Sequence, residues 1–170
     1  MTITTDITDS RHYRDVMGRL PTSVVVVAGR DAETGTAAGL VVGTFQSLSL
    51  DPPLVCFSVA ETSGSWPRVR AGGLFSASVL TTGQDAVCRA LSSKSPDKFA
   101  AVDWFPSPDG SPRISGAHAW IDCELCHEWT GGDHRIVIAR VRNMVAGDGE
   151  GTGPLVFYRG RLGGYREPAA

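Results

Sequence analysis

The run Gly39-Leu40-Val41-Val42-Gly43-Thr44-Phe45-Gln46-Ser47-Leu48-Ser49-Leu50-Asp51-Pro52-Pro53 opens as an apolar strand and changes to hydroxyls, an amide and an aromatic ring. Residues two apart on an extended chain point to one side. Ser47 and Ser49 then share a face, and Phe45 joins them if the chain stays extended. Two hydroxyls beside a ring suit a flat, polar-edged ligand that carries a phosphate. Asp51-Pro52-Pro53 closes the run with a rigid turn that donates few backbone hydrogen bonds. The plainer reading is an edge strand with one polar face.

Thr62-Ser63-Gly64-Ser65-Trp66-Pro67-Arg68 is the best phosphate candidate. Small hydroxyls and a Gly leave backbone N–H groups accessible, and Arg68 can add a charge-assisted contact. The plainer reading is a polar surface loop. Gly132-Asp133-His134 has no metal logic of its own. A His can donate a hydrogen bond, stack on a ring or hold a proton near neutral pH. Just after a Gly-Gly turn it can project over a ligand. Its plainer reading is a ring satisfied within the turn by Asp133.

Cys123-Glu124-Leu125-Cys126-His127 matches the attachment signature of c-type haem. Such attachment needs export, and the start of this chain does not read as an export signal. On a strand the two thiols, three apart, point to opposite faces, a poor geometry for one ring. Zinc would draw on these residues with His118 or His134, but a second C-x-x-C pair is missing. The expectation is no metal. The sequence also holds no G-x-G-x-x-G, no Walker A and no G-x-S-x-G elbow, which removes the common nucleotide and hydrolase readings.

The elements that position these residues can be read from patterning. The chain has 170 residues, 42% apolar and 20% charged, with net charge -2. That fits one globular domain with a substantial core. Charges of both signs are mixed, so no basic stripe for nucleic acid appears. The longest apolar run, Val24 to Ala28, is far below the roughly 20 residues of a membrane span. Residues 1–8 read as a flexible arm, 9–166 as one domain and 167–170 as a tail. Asp9 or Ser10 caps a first helix, with Tyr13, Val16, Met17 and Leu20 on one face, and Pro21 ends it. Strands are expected over Thr22–Gly29, Ala37–Thr44, Leu54–Ala60, Leu74–Leu80, Ala117–Glu128, Asp133–Val145, Pro154–Tyr158 and Arg161–Tyr165. A helix is expected over Gln84–Ser92, and a further helical turn from Ser95-Pro96-Asp97. Glu61–Gly73, residues 103–116 and Gly147–Gly153 read as loops. Eight hairpin-linked strands with two or three helices give a mainly β, Greek-key-like antiparallel β-barrel.

The Ser-x-Ser-Leu-Asp-Pro-Pro pattern at Ser47–Pro53 resembles the short-chain flavin reductase family, the reductase components of two-component flavin monooxygenases. Gly132-Asp133-His134 looks like that family's Gly-Asp-His motif. Arg14 to Pro21, followed by Thr22 and the valines, looks like its entry segment. The resemblance covers about residues 10–166.

That resemblance implies an FMN-binding split barrel and an NAD(P)H:flavin oxidoreductase. FAD or FMN is an exchangeable partner, and NADH, or else NADPH, is the hydride source. Val42, Gly43, Thr44, Phe45, Gln46, Ser47 and Ser49 would hold the isoalloxazine edge. Ser63, Gly64, Ser65, Trp66 and Arg68 would hold the ribityl phosphate. Lys98 and Phe99 match a position near the flavin, and His134 would help seat the nicotinamide as the catalytic-site residue. Many relatives carry Thr at Val41 and Ser or Asn at Gly43, so contacts there would come from backbone alone. The resemblance further implies a homodimer and a flavin-dependent monooxygenase as recipient of reduced flavin; a cytoplasmic location is the default expectation for a chain whose start does not read as an export signal. The alternatives are a flavin- or deazaflavin-binding barrel that is not a reductase, and a barrel built around a metal at Cys123, Cys126 and His127.

Overall fold

The computed structural model of the chain describes residues 9–147 and 153–165. The expected arm and tail, and most of the Gly147–Gly153 loop, lie outside the described residues. The elements run α1 (Ser10–Met17), β1 (Thr22–Ser23), β2 (Val25–Arg30), β3 (Ala37–Val42), β4 (Gln46–Leu50), β5 (Pro53–Ala60), α2 (Trp66–Ala71), β6 (Leu74–Val79), α3 (Asp85–Ser92), β7 (Trp104–Pro106), β8 (Pro112–Ile114), β9 (Ala119–Gly131), β10 (His134–Ala146), β11 (Leu155–Tyr158) and β12 (Arg161–Gly164).

Seven strands form one antiparallel sheet in the order β3-β2-β6-β9-β10-β5-β4. Its two edge strands, β3 and β4, follow each other in the chain. The short link Gly43–Phe45 therefore spans from one edge of the sheet to the other. That link curls the sheet into a split barrel, and Thr44, with Gln46, Ser47 and Ser49 of β4, lies on the seam.

The valine run explains itself by burial on both faces. Val25 and Val27 point into the barrel, with Leu40, Phe57, Trp66, Phe75 and Val137. Val24, Val26 and Ala28 point outward into a second core with Leu80, Leu91, Ile114 and Leu155. A strand covered on both sides needs no polar alternation, so the run stays continuous.

Several expectations are corrected. The first strand breaks at Val24: Thr22 and Ser23 pair with β11 in a separate sheet, and β2 begins at Val25. Glu61–Gly73 is not all loop, because Trp66–Ala71 is helical with Pro67 in its first turn, where a missing N–H costs nothing. Residues 103–116 are not a surface loop. They form the β7–β8 hairpin, and Arg113 and Ile114 are buried. Arg113 pairs there with the buried Asp122. Ser95–Phe99 forms bends and no helical turn; Ser95 Oγ accepts from Asp97 N and donates to Asp97 O, a local bond that competes with helix. Helix α1 is present, capped by Asp9, yet none of its residues is buried. Its stripe of Tyr13, Val16 and Met17, with Leu20 beyond, is exposed.

Candidate active site

The β9–β10 hairpin carries the Gly-Asp-His residues. Gly131 faces His134 across a two-residue turn, with Gly132 at φ 69°. Glycine first and a negative-φ residue second is the pattern of a type II′ hairpin. His134 opens β10 and pairs on its other side with Ala60, the last residue of β5. Glu61 N donates to Asp133 O at 3.0 Å, and Ser63 N donates to Ala60 O at 2.9 Å. The hairpin tip and the start of the Thr62–Arg68 loop are thus bound to the same strand end.

Within that loop Ser63 Oγ accepts from Trp66 N at 3.2 Å. A Cβ built on Gly64 would meet nothing within 4 Å, so its backbone is open to a ligand. Lys98 Nζ donates to Ser65 Oγ and to Leu91 O, both at 3.0 Å. Burial, and after it the charge of Arg68, lowers the Lys98 pKa. No carboxylate within 4.0 Å neutralises Lys98 among the described residues. A half-buried ammonium beside a second cation, a serine hydroxyl and open backbone is a fit for a phosphate.

Arg68 itself is engaged. Its Nε donates to Asp31 Oδ2 at 2.6 Å and its Nη2 to Thr36 Oγ1 at 3.2 Å. The Arg68 hydrogen bond, with those from Glu33 N and Thr34 N, brings the Asp31 pKa down to about 2. The Arg68 side chain is 39% exposed, so it is not shut away from a ligand. Trp66 is corrected from ligand contact to core residue. Its ring is 2% exposed, crosses Phe57 and Phe75 edge-on, and donates from Nε1 to Glu128 Oε1 at 2.6 Å. Only its backbone remains at the loop.

At the seam, Thr44 Oγ1 accepts from Ser58 N at 2.8 Å and from Ser58 Oγ at 3.0 Å. Phe45 stacks on Phe57 at 5.9 Å and packs on the barrel core. Gln46 Nε2 donates to Cys56 Sγ at 3.5 Å. A Cβ on Gly43 would lie 2.9 Å from Thr22 Oγ1, so Thr22 fills the space a side chain would take. Val42 points into the core. The expected shared face of Phe45, Ser47 and Ser49 is corrected. Ser47 pairs with Val55 and Ser49 with Leu54, with Leu48 bulged between them. Facing residues lie on one side of a sheet, and Val55 and Leu54 are neighbours, so the two hydroxyls fall on opposite faces. Phe99 sits on the outer wall: its ring lies over Gly39 and crosses Trp104 edge-on.

The structure therefore brings together Thr44, Ser63, Gly64, Ser65, Lys98 and His134 around the ends of β5 and β10, and it turns Trp66 and Phe99 into packing. Two residues were missed in the sequence. Ser58 holds Thr44, and its signal was the alternation of Cys56, Ser58 and Ala60 on the outward side of β5. Glu128 also receives Arg70 Nη1 at 2.9 Å, tying α2 to β9; nothing local in the sequence announces that.

Volume does not mark this site. One cavity, about 1040 Å³, lies by Pro21, Pro154, Tyr158 and Arg161 and holds none of the candidate residues. A cavity of about 210 Å³ touches Val42 and Gly43, below the usual size of a cofactor pocket. The cysteines do not assemble either. Burial, then the neighbouring Asp122 and Cys126, raises the Cys123 pKa to about 12, so the thiol stays protonated. Among the described residues no three His, Cys, Asp or Glu side chains converge as metal ligands.

Comparison with known proteins gives the family of this fold. Residues 17–166 match the flavin reductase like domain. A flavin reductase of Pseudomonas putida is 41% identical over 157 residues, covering 92% of this chain and 91% of that protein. The solved structure of nitrilotriacetate monooxygenase component B from Mycobacterium thermoresistibile superimposes with TM-score 0.88 at 37% identity, covering 95% of this chain and 92% of that one. An NADH:FAD oxidoreductase of Streptomyces globisporus, solved with NAD and FAD fragments, gives TM-score 0.89 at 31% identity over 99% of this chain and 100% of that one. On these matches and the split-barrel fold, the chain belongs to the flavin reductase like domain family and is an oxidoreductase of the flavin reductase type.

Proposed function

We propose that this flavin reductase takes hydride from NADH, with NADPH the second candidate, and reduces free FAD or FMN for a monooxygenase component. The observation that carries the reading is the shared strand end. His134 pairs with Ala60, Asp133 O accepts from Glu61 N and Ala60 O accepts from Ser63 N, so one rim offers a ring contact and a phosphate cradle side by side. A bound flavin supplies the hydride acceptor, and positioning is the protein's part. Lys98 and Ser65 hold the phosphate, Gly64 offers backbone, and Thr44, fixed by Ser58, presents the seam to the ring edge. Gly43 and Gln46 add backbone and polar contacts along that seam, and Ser47 and Ser49, on opposite faces, offer one hydroxyl between them to a ligand there. His134 seats the nicotinamide. Hydride transfer needs no strong acid or base from the protein. FAD with NADH is favoured because a relative of this fold is described as an NADH:FAD oxidoreductase. A monooxygenase recipient is favoured because another is a monooxygenase component.

A homodimer is part of the same reading. Trp129 and Ile136 face each other on β9 and β10 close to His134, 52% and 43% exposed. An exposed apolar pair beside the site suits coverage by a second copy. The cytoplasm is the proposed location, because all four thiols are free. Among the described residues no helix is long and apolar enough to cross a membrane.

The test is His134→Ala. Loss of one positioned contact raises the NADH KM roughly tenfold while flavin affinity stays within about twofold. Equal losses of both would refute the nicotinamide role.

A further inference from the structure

We infer that Asp133 is a positioning residue, whose carboxylate holds the His134 imidazole in the tautomer that leaves Nε2 as an acceptor for the carboxamide N–H of the nicotinamide. The inference rests on the reading of His134 given above and adds the atom and the direction of the bond.

His134 Nδ1 lies 2.6 Å from Asp133 Oδ1. The hydrogen bond to His134 lowers the Asp133 pKa. The carboxylate is ionised at neutral pH and can only accept, so Nδ1 carries the proton. In a neutral imidazole the other nitrogen is then an acceptor. Nε2 has no hydrogen-bond partner among the described residues, and the ring is 44% exposed. An unrestrained histidine favours the opposite tautomer, with the proton on Nε2. The pair thus reverses what the ring offers to a ligand.

The Asp133 carboxylate has no other visible task. It is 95% exposed, and among the described residues His134 is the one other residue it bonds to. An exposed pair of this kind adds little to stability. Its backbone is nevertheless fixed, by the turn at Gly132 and by the bond from Glu61 N to Asp133 O. Two neighbouring charges, Arg135 next in the chain and Glu61 whose N–H bonds to Asp133 O, are paired with each other at 3.0 Å. A nicotinamide carboxamide offers two N–H donors. An acceptor on the rim selects for them, and it discriminates against an acetyl group, which has none.

The experiment combines 15N NMR of the histidine rings in the full chain with steady-state kinetics. The nucleotides are NADH and reduced 3-acetylpyridine adenine dinucleotide, and the proteins are wild type, Asp133→Ala and His134→Ala. The wild type should show the proton on Nδ1, and Asp133→Ala should move it to Nε2. Asp133→Ala should also raise the NADH KM roughly 5- to 10-fold, with kcat and flavin affinity within about twofold. The acetylpyridine nucleotide, lacking the N–H, should be nearly indifferent to the change. A wild-type ring already protonated on Nε2 overturns the inference. So does equal loss with both nucleotides, or an unchanged NADH KM in Asp133→Ala while His134→Ala is impaired. If His134→Ala is itself unimpaired, the reading of His134 fails and takes the inference with it.

Discussion

Lys98 is the residue on which the phosphate assignment turns. Its ammonium is half-buried, lies close to Arg68 and rests on two neutral oxygens, Ser65 Oγ and Leu91 O. A phosphate would supply the negative charge this arrangement lacks. Lys98→Ala should weaken FMN and FAD binding by roughly 10- to 100-fold, the range of one charge-assisted contact, and leave riboflavin nearly unchanged. Calorimetric titration of the three flavins checks this, and equal losses would sink the assignment. Arg68 is a poorer probe, because removing it also strips Asp31 of its partner. At this scale the sequence was legible where chemistry is local. The open Gly64, the Asp133–His134 pair and the hydroxyls of the 62–65 loop could all be named in advance. Trp66 could not be sorted, because whether an aromatic after a polar run faces the core or a ligand depends on Phe57 and Phe75, which lie far away in sequence.

Among the elements, the link between α2 and β9 decides how the loop is held. Glu128 accepts from Trp66 Nε1 and Arg70 Nη1 and is 13% exposed, so both oxygens are satisfied in a largely dry place. Glu128→Ala leaves two donors without that partner and should cost about 1.5 to 3 kcal/mol, with Glu128→Gln intermediate. Denaturant unfolding measures it, and an unchanged midpoint would show that water replaces the carboxylate freely. Strands were legible where alternation or a β-branched run marked them, as in β2, β5 and β10. The missed elements were short or bent. Helix α2 has six residues behind a Ser-Gly-Ser run, and β7 and β8 lie between prolines and glycines. The bulge at Leu48 reversed the face of Ser49, and a single inserted residue leaves no mark in composition.

The whole molecule is a sheet closed by its own chain order, with β3 and β4 at opposite edges and the seam between them. The hairpin that carries Asp31 is pinned to α2 by Arg68, and this gives the fold an acid-sensitive joint. A carboxyl depressed in the folded state contributes stability that is present above its unfolded value and lost as pH falls through its folded one. For Asp31 that window runs from 3.8 down to about 2. Asp122 adds to it: burial alone would raise its pKa, but hydrogen bonds from Arg113 and Asn143 outweigh burial and lower it. The melting temperature should therefore fall across this window, and less steeply in Arg68→Ala; a flat profile would contradict the joint. The barrel class was legible from eight strand signals and their turns, whereas the seam was not, because edge order is set by pairings distant in sequence. The central claim is that the β5–β10 rim joins a nicotinamide to an exchangeable flavin. The most direct test is the rate of NADH oxidation by the purified chain with and without added FAD or FMN. The account predicts saturable oxidation that requires flavin, and oxidation that is absent with either flavin and either nicotinamide nucleotide would contradict it.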